Sequence, residues 1–278
     1  MTFRASVVLF NTPPEELENV VISLLKCEFL EAIDLVDNSN APLKESYFLV
    51  EDKVNYIFNG ENLGYGRAHN LSISQSLDSQ ASHHLVINAD VEFSSEDIDH
   101  LYEVMVANSN VGLLMPNVTY PNGHKQYLCK FCPSPIDLIA RLILPRSFAL
   151  KWLRKFDMRD VDFNGPTFVP YLSGCFMFLS AKVLAEVGGF DERFFLYPED
   201  IDLSRRVAYR YESIFYPSVT VSHRHDAASK KSFSLMVIHI REIIKYFNKW
   251  GWIFDKNRKG LNRRCGESIA LKKYELRD

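Results

Sequence analysis

The chain has 278 residues, enough for one large domain or two small ones sharing a core, and its 47% hydrophobic and 24% charged content argues against a disordered or fibrous protein. The net charge of −3 conceals a polarity. Residues 1–100 hold 5 Lys/Arg against 17 Asp/Glu, a net of −12, whereas residues 223–264 hold 11 against 3, a net of +8. Such a tail faces an anionic surface, either membrane phospholipid or a pyrophosphate-bearing acceptor ahead of nucleic acid, unless it is only a solvated helix face. Met1 to Phe10 lacks a basic region followed by a long apolar core, and no run approaches the ~18 apolar residues of a spanning helix, so a cytoplasmic location is expected. The five cysteines are an odd number without framework spacing and read as reduced thiols. Cys129-Lys-Phe-Cys132 is a single pair and argues little for zinc.

In chain order, Ala5 to Phe10 reads as a strand. Thr12-Pro13-Pro14-Glu15 then reads as a helix entry, with Thr12 capping and Glu15 completing a capping box. Leu17, Val20, Val21, Leu24 and Leu25 form the apolar stripe of that helix. Ile33 to Val36 is a second strand ending in the turn-rich run Asp37-Asn38-Ser39-Asn40, and Val54 to Phe58 is a third. Gly60 to Gly66 is a loop before a helix over Arg67 to Leu77. Leu85 to Ile87 is a fourth strand, ending at Asn88-Ala89-Asp90, and Ser94 or Ser95 opens the next helix. This alternation predicts an α/β chain with a parallel, doubly wound sheet. Such sheets bind ligands at the carboxyl ends of their strands, where Asp37 and Asp90 fall.

The second half is less regular. Val111 to Met115 is a strand, and Phe168 to Leu179 is expected to be one strand around Ser173-Gly174. Residues 133–165, with Ile136 to Phe156 both basic and apolar, are expected to form a mobile lid or a membrane-facing insertion. Ala181 to Val187 is a helix closed by Gly188-Gly189. A helix over Asp200 to Arg210 and a strand over Ile214 to Val221 follow. In the tail, Phe233, Met236, Val237, Ile240, Ile243, Ile244 and Phe247 recur at steps of three and four, which defines an amphipathic helix. Its opposite face carries Lys231, Arg241, Lys245 and Lys249. The expectation is that much of the stripe is packed and the basic face is free, so that it can lie on an anionic membrane.

Taken together and in order, these motifs resemble the family 2 glycosyltransferases: Asp37-Asn38-Ser39, Asn62-Leu-Gly64-Tyr-Gly66-Arg67-Ala-His-Asn70, Asn88-Ala-Asp90-Val91, Ser173-Gly174-Cys175 and Gly188 to Leu203. The likeness runs over roughly residues 3–255 and is nearest to the rhamnosyltransferase-like enzymes of bacterial surface polysaccharide synthesis, whose tail Tyr246 to Trp252 also resembles. It implies a GT-A fold with a Rossmann-like nucleotide-binding half at about 1–118, an acceptor half at 119–222 and a helical extension at 223–278. It implies an inverting transfer of L-rhamnose from dTDP-rhamnose, or of a hexose from a UDP-sugar, to a lipid-linked saccharide in O-antigen, capsule or other cell-surface polysaccharide synthesis at the inner face of the membrane.

Residue by residue, the resemblance implies the following. Asp37, with Asn38, contacts the base, since a carboxylate can accept from the N3–H of uracil or thymine; otherwise Asp37 is a turn former. Asn62, Gly64 and Arg67 belong to a Gly-rich loop beside phosphate or ribose. Asn88-Ala-Asp90 stands where the family has Asp-x-Asp, so Asp90 is a ligand for Mg²⁺ or Mn²⁺ and Asn88 a ribose or sugar contact. The Asn leaves strict metal dependence open. Glu199-Asp200 matches the pair that supplies the catalytic base, with Asp200 preferred and Glu199 close to the acceptor. Asp200 and Asp202 also sit where helix N-terminal acids stabilise the dipole. Ser173 and Gly174 shape the acceptor site. His223 completes the metal site or touches the diphosphate, with His225 as the alternative.

Two other classes compete. A nucleotidyltransferase would place a basic, Gly-rich loop after the first strand, where Asn11-Thr-Pro-Pro14 stands. A decayed, non-catalytic nucleotide-sugar binder is supported by Asn88 and opposed by Asp90 and Asp200. The oligomeric state is left open by the sequence.

Overall fold

The computed structural model describes residues 1–43, 47–224 and 233–274. Its sheet grows outward from β1 (Phe3–Leu9), in which Phe3, Ala5, Ser6, Val7 and Leu9 are all buried. A strand covered on both faces needs apolar or small residues throughout rather than alternation, and parallel strands are of this kind. β1 pairs in parallel with β2 (Leu30–Asp37) and β4 (His83–Ile87), and β3 (Val54–Phe58) extends β2. β8 (Phe176–Ser180) runs antiparallel to both β4 and β6 (Val111–Thr119), and β9 (Glu212–His223) runs parallel to β6. Two short strands, β5 (Val91–Glu92) and β7 (Thr167–Phe168), pair antiparallel with β9. The path is β3-β2-β1-β4-β8-β6-β9-β5.

These directions decide where chemistry can gather. β2, β4 and β9 all end at one edge of the sheet, and β8 begins there. Asp37, Asn88, Asp90, His223 and Gly174 therefore meet at that edge, although they are spread over most of the chain.

The helices follow their local signals with some differences. α1 (Pro14–Leu25) buries Leu17, Val20, Val21 and Leu24, as the stripe predicts. Its cap is Pro13, however, without any side-chain hydrogen bond, and the Thr12 hydroxyl accepts from Phe10 N instead. The expected capping box is thus not formed, because two consecutive prolines already set the entry. α2 (Tyr65–Asp78) starts two residues earlier than expected. Ser94 caps α3 (Ser95–Ala107) through Asp97 N at 3.1 Å. The segment from Phe168 to Leu179 is not one strand: β7 and β8 are separate, and Ser173-Gly174 lies in the loop between them.

Within residues 133–165, Ser134 and Asp137 form a capping box that opens α4 (Pro135–Ile143), and α5 (Arg146–Trp152) follows. Leu138, Ala149, Leu153 and Phe156 from this region pack with Tyr171, Phe194, Ile201, Ile243, Tyr246 and Phe247 in a second apolar cluster. That cluster joins the insertion to α7 (Glu199–Arg210) and α8 (Phe233–Trp250). α9 (Lys256–Tyr274) closes the chain, with Leu261 and Cys265 in the main core. α6 (Ala181–Val187) ends at Gly188 with φ 80°, as the glycine pair predicts.

The tail departs from expectation in an informative way. Ile243 and Phe247 are buried, but Met236, Ile240 and Ile244 are exposed. Part of the basic side is engaged: Lys249 pairs with Asp191 and Asp202 at 2.6 Å, and Lys245 bonds to Glu242 and to the Arg193 carbonyl at 2.7 Å, whereas Arg241 is exposed and Lys231 lies outside the described residues. The lysines clamp α8 to the loop before α7, and it is part of the apolar stripe that stays open. Among the described residues no helix is long and apolar enough to cross a membrane.

Candidate active site

α7 begins at Glu199 and Asp200, and both side chains are buried. The Asp200 carboxylate accepts from Gly174 N at 3.0 Å, from Ile201 N at 2.7 Å and, at 3.5 Å, from the Tyr171 hydroxyl. Burial pushes its pKa up to about 6, opposed by the Gly174 N–H and the Lys130 ammonium. Glu199 has no comparable support. Its Oε2 is buried without a hydrogen-bond partner among the described residues. Burial, then the Asp200 and Glu242 charges, raise its pKa well above the usual carboxylate range. Two neighbouring carboxyls are thus driven apart, one able to ionise near neutral pH and one held protonated, the pattern that separates a base from a neutral partner.

At the end of β4, Asp90 Oδ1 lies 3.2 Å from His223 Nε2, the last residue of β9. His223 Nδ1 is 3.1 Å from Gln126 Oε1, and Gln126 Nε2 donates to the His223 carbonyl at 2.6 Å, which fixes the ring. Burial favours the neutral imidazole, but the Asp90 carboxylate and Cys175 outweigh it and push the pKa up to about 10. Asn88 approaches the same ring at 3.5 Å. His225, the alternative, lies outside the described residues, as do Lys230 and Lys231.

A continuous set of hydrogen bonds joins the two sides. Gly174 N donates to Asp200, and the Tyr65 hydroxyl donates to Gly174 O at 2.7 Å. That hydroxyl is also 2.9 Å from the Asn88 amide, which in turn reaches His223. Asn88 N donates to Cys175 O at 3.0 Å, pinning the β4 end to the loop that holds Gly174. Ser173 sits in that loop with its hydroxyl near Cys175 N at 3.5 Å. Seven of the residues expected from the sequence therefore come together: Asn88, Asp90, Ser173, Gly174, Glu199, Asp200 and His223.

The other five lie to one side, and the structure gives four of them supporting contacts. Asp37 is only 2% exposed. Its oxygens accept from Ser39 N at 2.9 Å, a turn contact, and from the Tyr56 hydroxyl at 2.6 Å. Each oxygen keeps a lone pair for a base N–H. Asn38 donates to Gly64 O at 3.2 Å, and Asn62 accepts from Gly64 N at 2.9 Å, so both asparagines brace the loop. Gly64, at φ 84°, would drive a Cβ into the Phe195 carbonyl, which accepts from Tyr65 N at 3.1 Å. Arg67 is more than half exposed and reaches Glu192 at 3.8 Å. Asn70 holds the same loop from α2, exchanging 2.8 Å bonds with both Phe190 N and Phe190 O. The Gly-rich segment and the segment from Gly188 to Asp202 thus clasp each other, and the clasp sets the position of Glu199 and Asp200. A Gly64→Ala chain is expected to lose about 1–3 kcal/mol of stability through left-handed strain and collision, read from the denaturation midpoint.

Tyr65, Gln126, Tyr171 and Lys130 also belong to the site and carried no signal by spacing. Tyr65 stood inside a motif, masked by its glycines. Gln126 and Lys130 lie in the stretch whose periodicity is weak.

No family model matches the chain. Over 238 residues, 80% of its length, the chain is 29% identical to the N-acetylglucosaminyl-diphospho-decaprenol L-rhamnosyltransferase of Mycobacterium tuberculosis, covering 76% of that protein. It is 28% identical over 206 residues, 72% of its length, to the low-salt glycan biosynthesis hexosyltransferase Agl10 of Haloferax volcanii, of which it covers 60%. Among solved structures, GalNAc-T7 with UDP, GalNAc and Mn²⁺ superposes on 99% of the chain with a TM-score of 0.61 at 16% identity, the chain spanning 58% of that protein. The mannosyltransferase PcManGT of Pyrobaculum calidifontis, in complex with GDP-Man and Mn²⁺, superposes on 98% with a TM-score of 0.57 at 13% identity, the chain spanning 75% of it. The structural likenesses show the GT-A fold and the relatives show the class. The chain is a glycosyltransferase, and its likeness to the mycobacterial rhamnosyltransferase runs in the direction its motifs predict.

Proposed function

We propose that this glycosyltransferase moves L-rhamnose from dTDP-L-rhamnose, with inversion, onto a saccharide carried on a lipid diphosphate for a cell-surface polysaccharide. The observation that carries this reading is the hydrogen-bond chain from Asp200 through Gly174 and Tyr65 to Asn88, His223 and Asp90. It supports reading Asp200 as the base and Asp90 with His223 as the group that faces the leaving diphosphate, the two roles that an in-line displacement needs. The likeness to the mycobacterial rhamnosyltransferase supports the sugar and the acceptor class. The likeness to the Haloferax volcanii hexosyltransferase favours a hexose as the second sugar to test, with UDP as the carrier that the Asp37 reading allows.

In this mechanism Asp200 accepts the proton of the acceptor hydroxyl as its oxygen attacks the anomeric carbon. Gly174 N–H keeps the carboxylate aimed, and protonated Glu199 adds no second negative charge. Asp37 selects a pyrimidine by accepting from its N3–H. The residues at the β4 end fit a divalent ion. Asp90 and His223 are adjacent and the Asn88 amide is beside them, yet no group of three or more His, Cys, Asp or Glu among the described residues could hold an ion unaided. Asp90 and His223, the latter once an ion has displaced its Nε2 proton, would be two protein ligands, and diphosphate oxygens completing the set would suit Mg²⁺ or Mn²⁺. When bound, such an ion would neutralise the charge on the departing nucleoside diphosphate.

Calorimetric titration with dTDP, UDP and GDP, each with and without Mn²⁺, tests the donor side. Binding of dTDP or UDP strengthened by Mn²⁺, with GDP weaker, is the expected result. A folded sample that binds none of the three would remove the assignments of Asp37, Asp90 and His223 together.

A further inference from the structure

Lys130 is 5% exposed, and its ammonium makes no hydrogen bond or ion pair among the described residues; it lies over the Tyr171 ring, 4.7 Å from the centroid. A buried cation without a partner is costly unless a ligand supplies the missing charge. Its pKa is lowered to about 8, by burial first and then by Arg141, so the group is still mostly charged at neutral pH. Its place is fixed. Lys130 N donates to Tyr171 O at 3.1 Å, and the Tyr171 hydroxyl points to Asp200.

The surroundings carry surplus positive charge. Arg141 of α4 bonds to Asp157, and Arg159 approaches the same carboxylate at 3.4 Å while lying 4.3 Å over the Tyr127 ring. Two arginines thus share one carboxylate. The other carboxylate acting on Lys130 is Asp200, which loses its charge when it takes the acceptor proton. His239, stacked 4.1 Å on Tyr197, is kept neutral by burial and Arg141, its pKa lowered to about 4. Beside Arg141, α4 and α5 leave an apolar strip open. Ile136 is 61% exposed, Ile143 68% and Phe148 68%, with Ile139 between them.

We propose that Lys130 and Arg141 form an anion subsite on the acceptor side of Asp200 that takes the acceptor's diphosphate, with Ile136, Ile139, Ile143 and Phe148 receiving the first apolar units of its lipid. The inference rests on the lipid-diphosphate reading above and adds the residues that recognise it. A diphosphate one sugar away from the attacking hydroxyl supplies the charge that Lys130 lacks. The exposed strip then continues from headgroup to chain.

The test compares two acceptors of one sugar, GlcNAc-diphospho-farnesol and octyl GlcNAc, which has an apolar tail and no phosphate. In Lys130→Met and Arg141→Gln, KM for the diphosphate acceptor is expected to rise about tenfold or more, the loss typical of a charged hydrogen bond. The ratio of KM for the diphosphate acceptor to KM for octyl GlcNAc should therefore rise about tenfold in both variants, whatever the loss of Lys130 does to Asp200. Lys130→Met should also raise the acid limb of the pH profile for both acceptors alike, because Asp200 loses a neighbouring cation. Arg141→Lys, which keeps a charge beside Asp157, is the folding control and should retain most of the discrimination. An equal change of KM for both acceptors, or no change, overturns the subsite. A second arm needs no turnover: farnesyl diphosphate binding is measured with dTDP saturating, and inorganic diphosphate under the same conditions separates headgroup from chain. Farnesyl diphosphate weakened about tenfold in both variants, and inorganic diphosphate binding more weakly to wild type, supports the proposal. Absent wild-type binding of farnesyl diphosphate, or binding unchanged by the substitutions, refutes it. Neither result touches the donor assignment, which the nucleotide titration decides.

Discussion

An Asp200→Asn chain is expected to lose about 10²–10⁴-fold in kcat while binding donor nucleotide as the wild type does. The substitution is nearly isosteric, and the amide oxygen can still accept from Gly174 N and Ile201 N. What disappears is the capacity to take a proton. The companion Glu199→Gln should cost less than about tenfold, because Glu199 is already held protonated by burial and by its neighbour, and an amide imitates that state. If Glu199→Gln were the dead enzyme and Asp200→Asn the mild one, the roles would be exchanged. The pH profile gives an independent reading. With Asp200 pushed up from 3.8 to about 6, kcat/KM should fall as the pH drops below about 6 and protonates the base. The stability linkage has the opposite sense. A carboxyl whose pKa is raised on folding favours the fold when protonated, and that contribution fades as the pH rises from 3.8 through about 6. At pH 7 the ionised Asp200 is therefore a burden, and the Asn variant should melt no lower than wild type. Lost transfer with undiminished stability cannot be blamed on unfolding.

The first hundred residues were legible because each strand and helix there is set by signals close in sequence. The apolar run of β1, the stripe of α1 and the Ser94 cap all translate directly into the observed elements. Asp90, Glu199, Asp200 and His223 are singled out for a different reason: they stand in motifs whose order resembles a known family. Spacing alone left Asp200 and Asp202 equally good as helix N-terminal acids. The structure separates them, since Asp202 is wholly buried and bonded to Arg206, Lys249 and Trp250, whereas Asp200 meets Gly174 and Tyr171. The roles of Asn38, Asn62 and Gly64 could not be read because their partners, Phe195 among them, are brought in by tertiary contact. The tail misled for a physical reason. Its period correctly gave a helix, but which apolar residues are covered depends on Asp191 and Asp202 capturing Lys249 and on the Arg193 carbonyl capturing Lys245, and periodicity carries no information about such distant partners.

Removing the Asp255 carboxylate is expected to be the most damaging change away from the reacting groups. Arg205 is fully buried on α7, ion-paired to Asp255, 3.2 Å from the Tyr246 hydroxyl and 3.9 Å over the Trp250 ring. Deleting one partner of a buried pair strands the other charge and costs about 3–5 kcal/mol. Asp255 also accepts from Arg258 N at 3.0 Å, capping α9, and losing that adds about 1 kcal/mol. Against a total stability of about 5–15 kcal/mol, an Asp255→Ala chain should be largely unfolded at temperatures the wild type tolerates. The pair is not ideal, however: Arg205 Nε and Asp255 Oδ2 are buried without partners among the described residues. Arg205→Met together with Asp255→Asn removes both charges and keeps a capping oxygen, so it should recover most of the loss. If the double variant were as unstable as Asp255→Ala, the damage would come from lost packing and not from a stranded charge. Activity distinguishes this site from Asp200 in the reverse direction. Below its own melting midpoint the double variant should show a kcat near wild type, because Arg205 acts on the acids only by holding α7 against α8 and the start of α9.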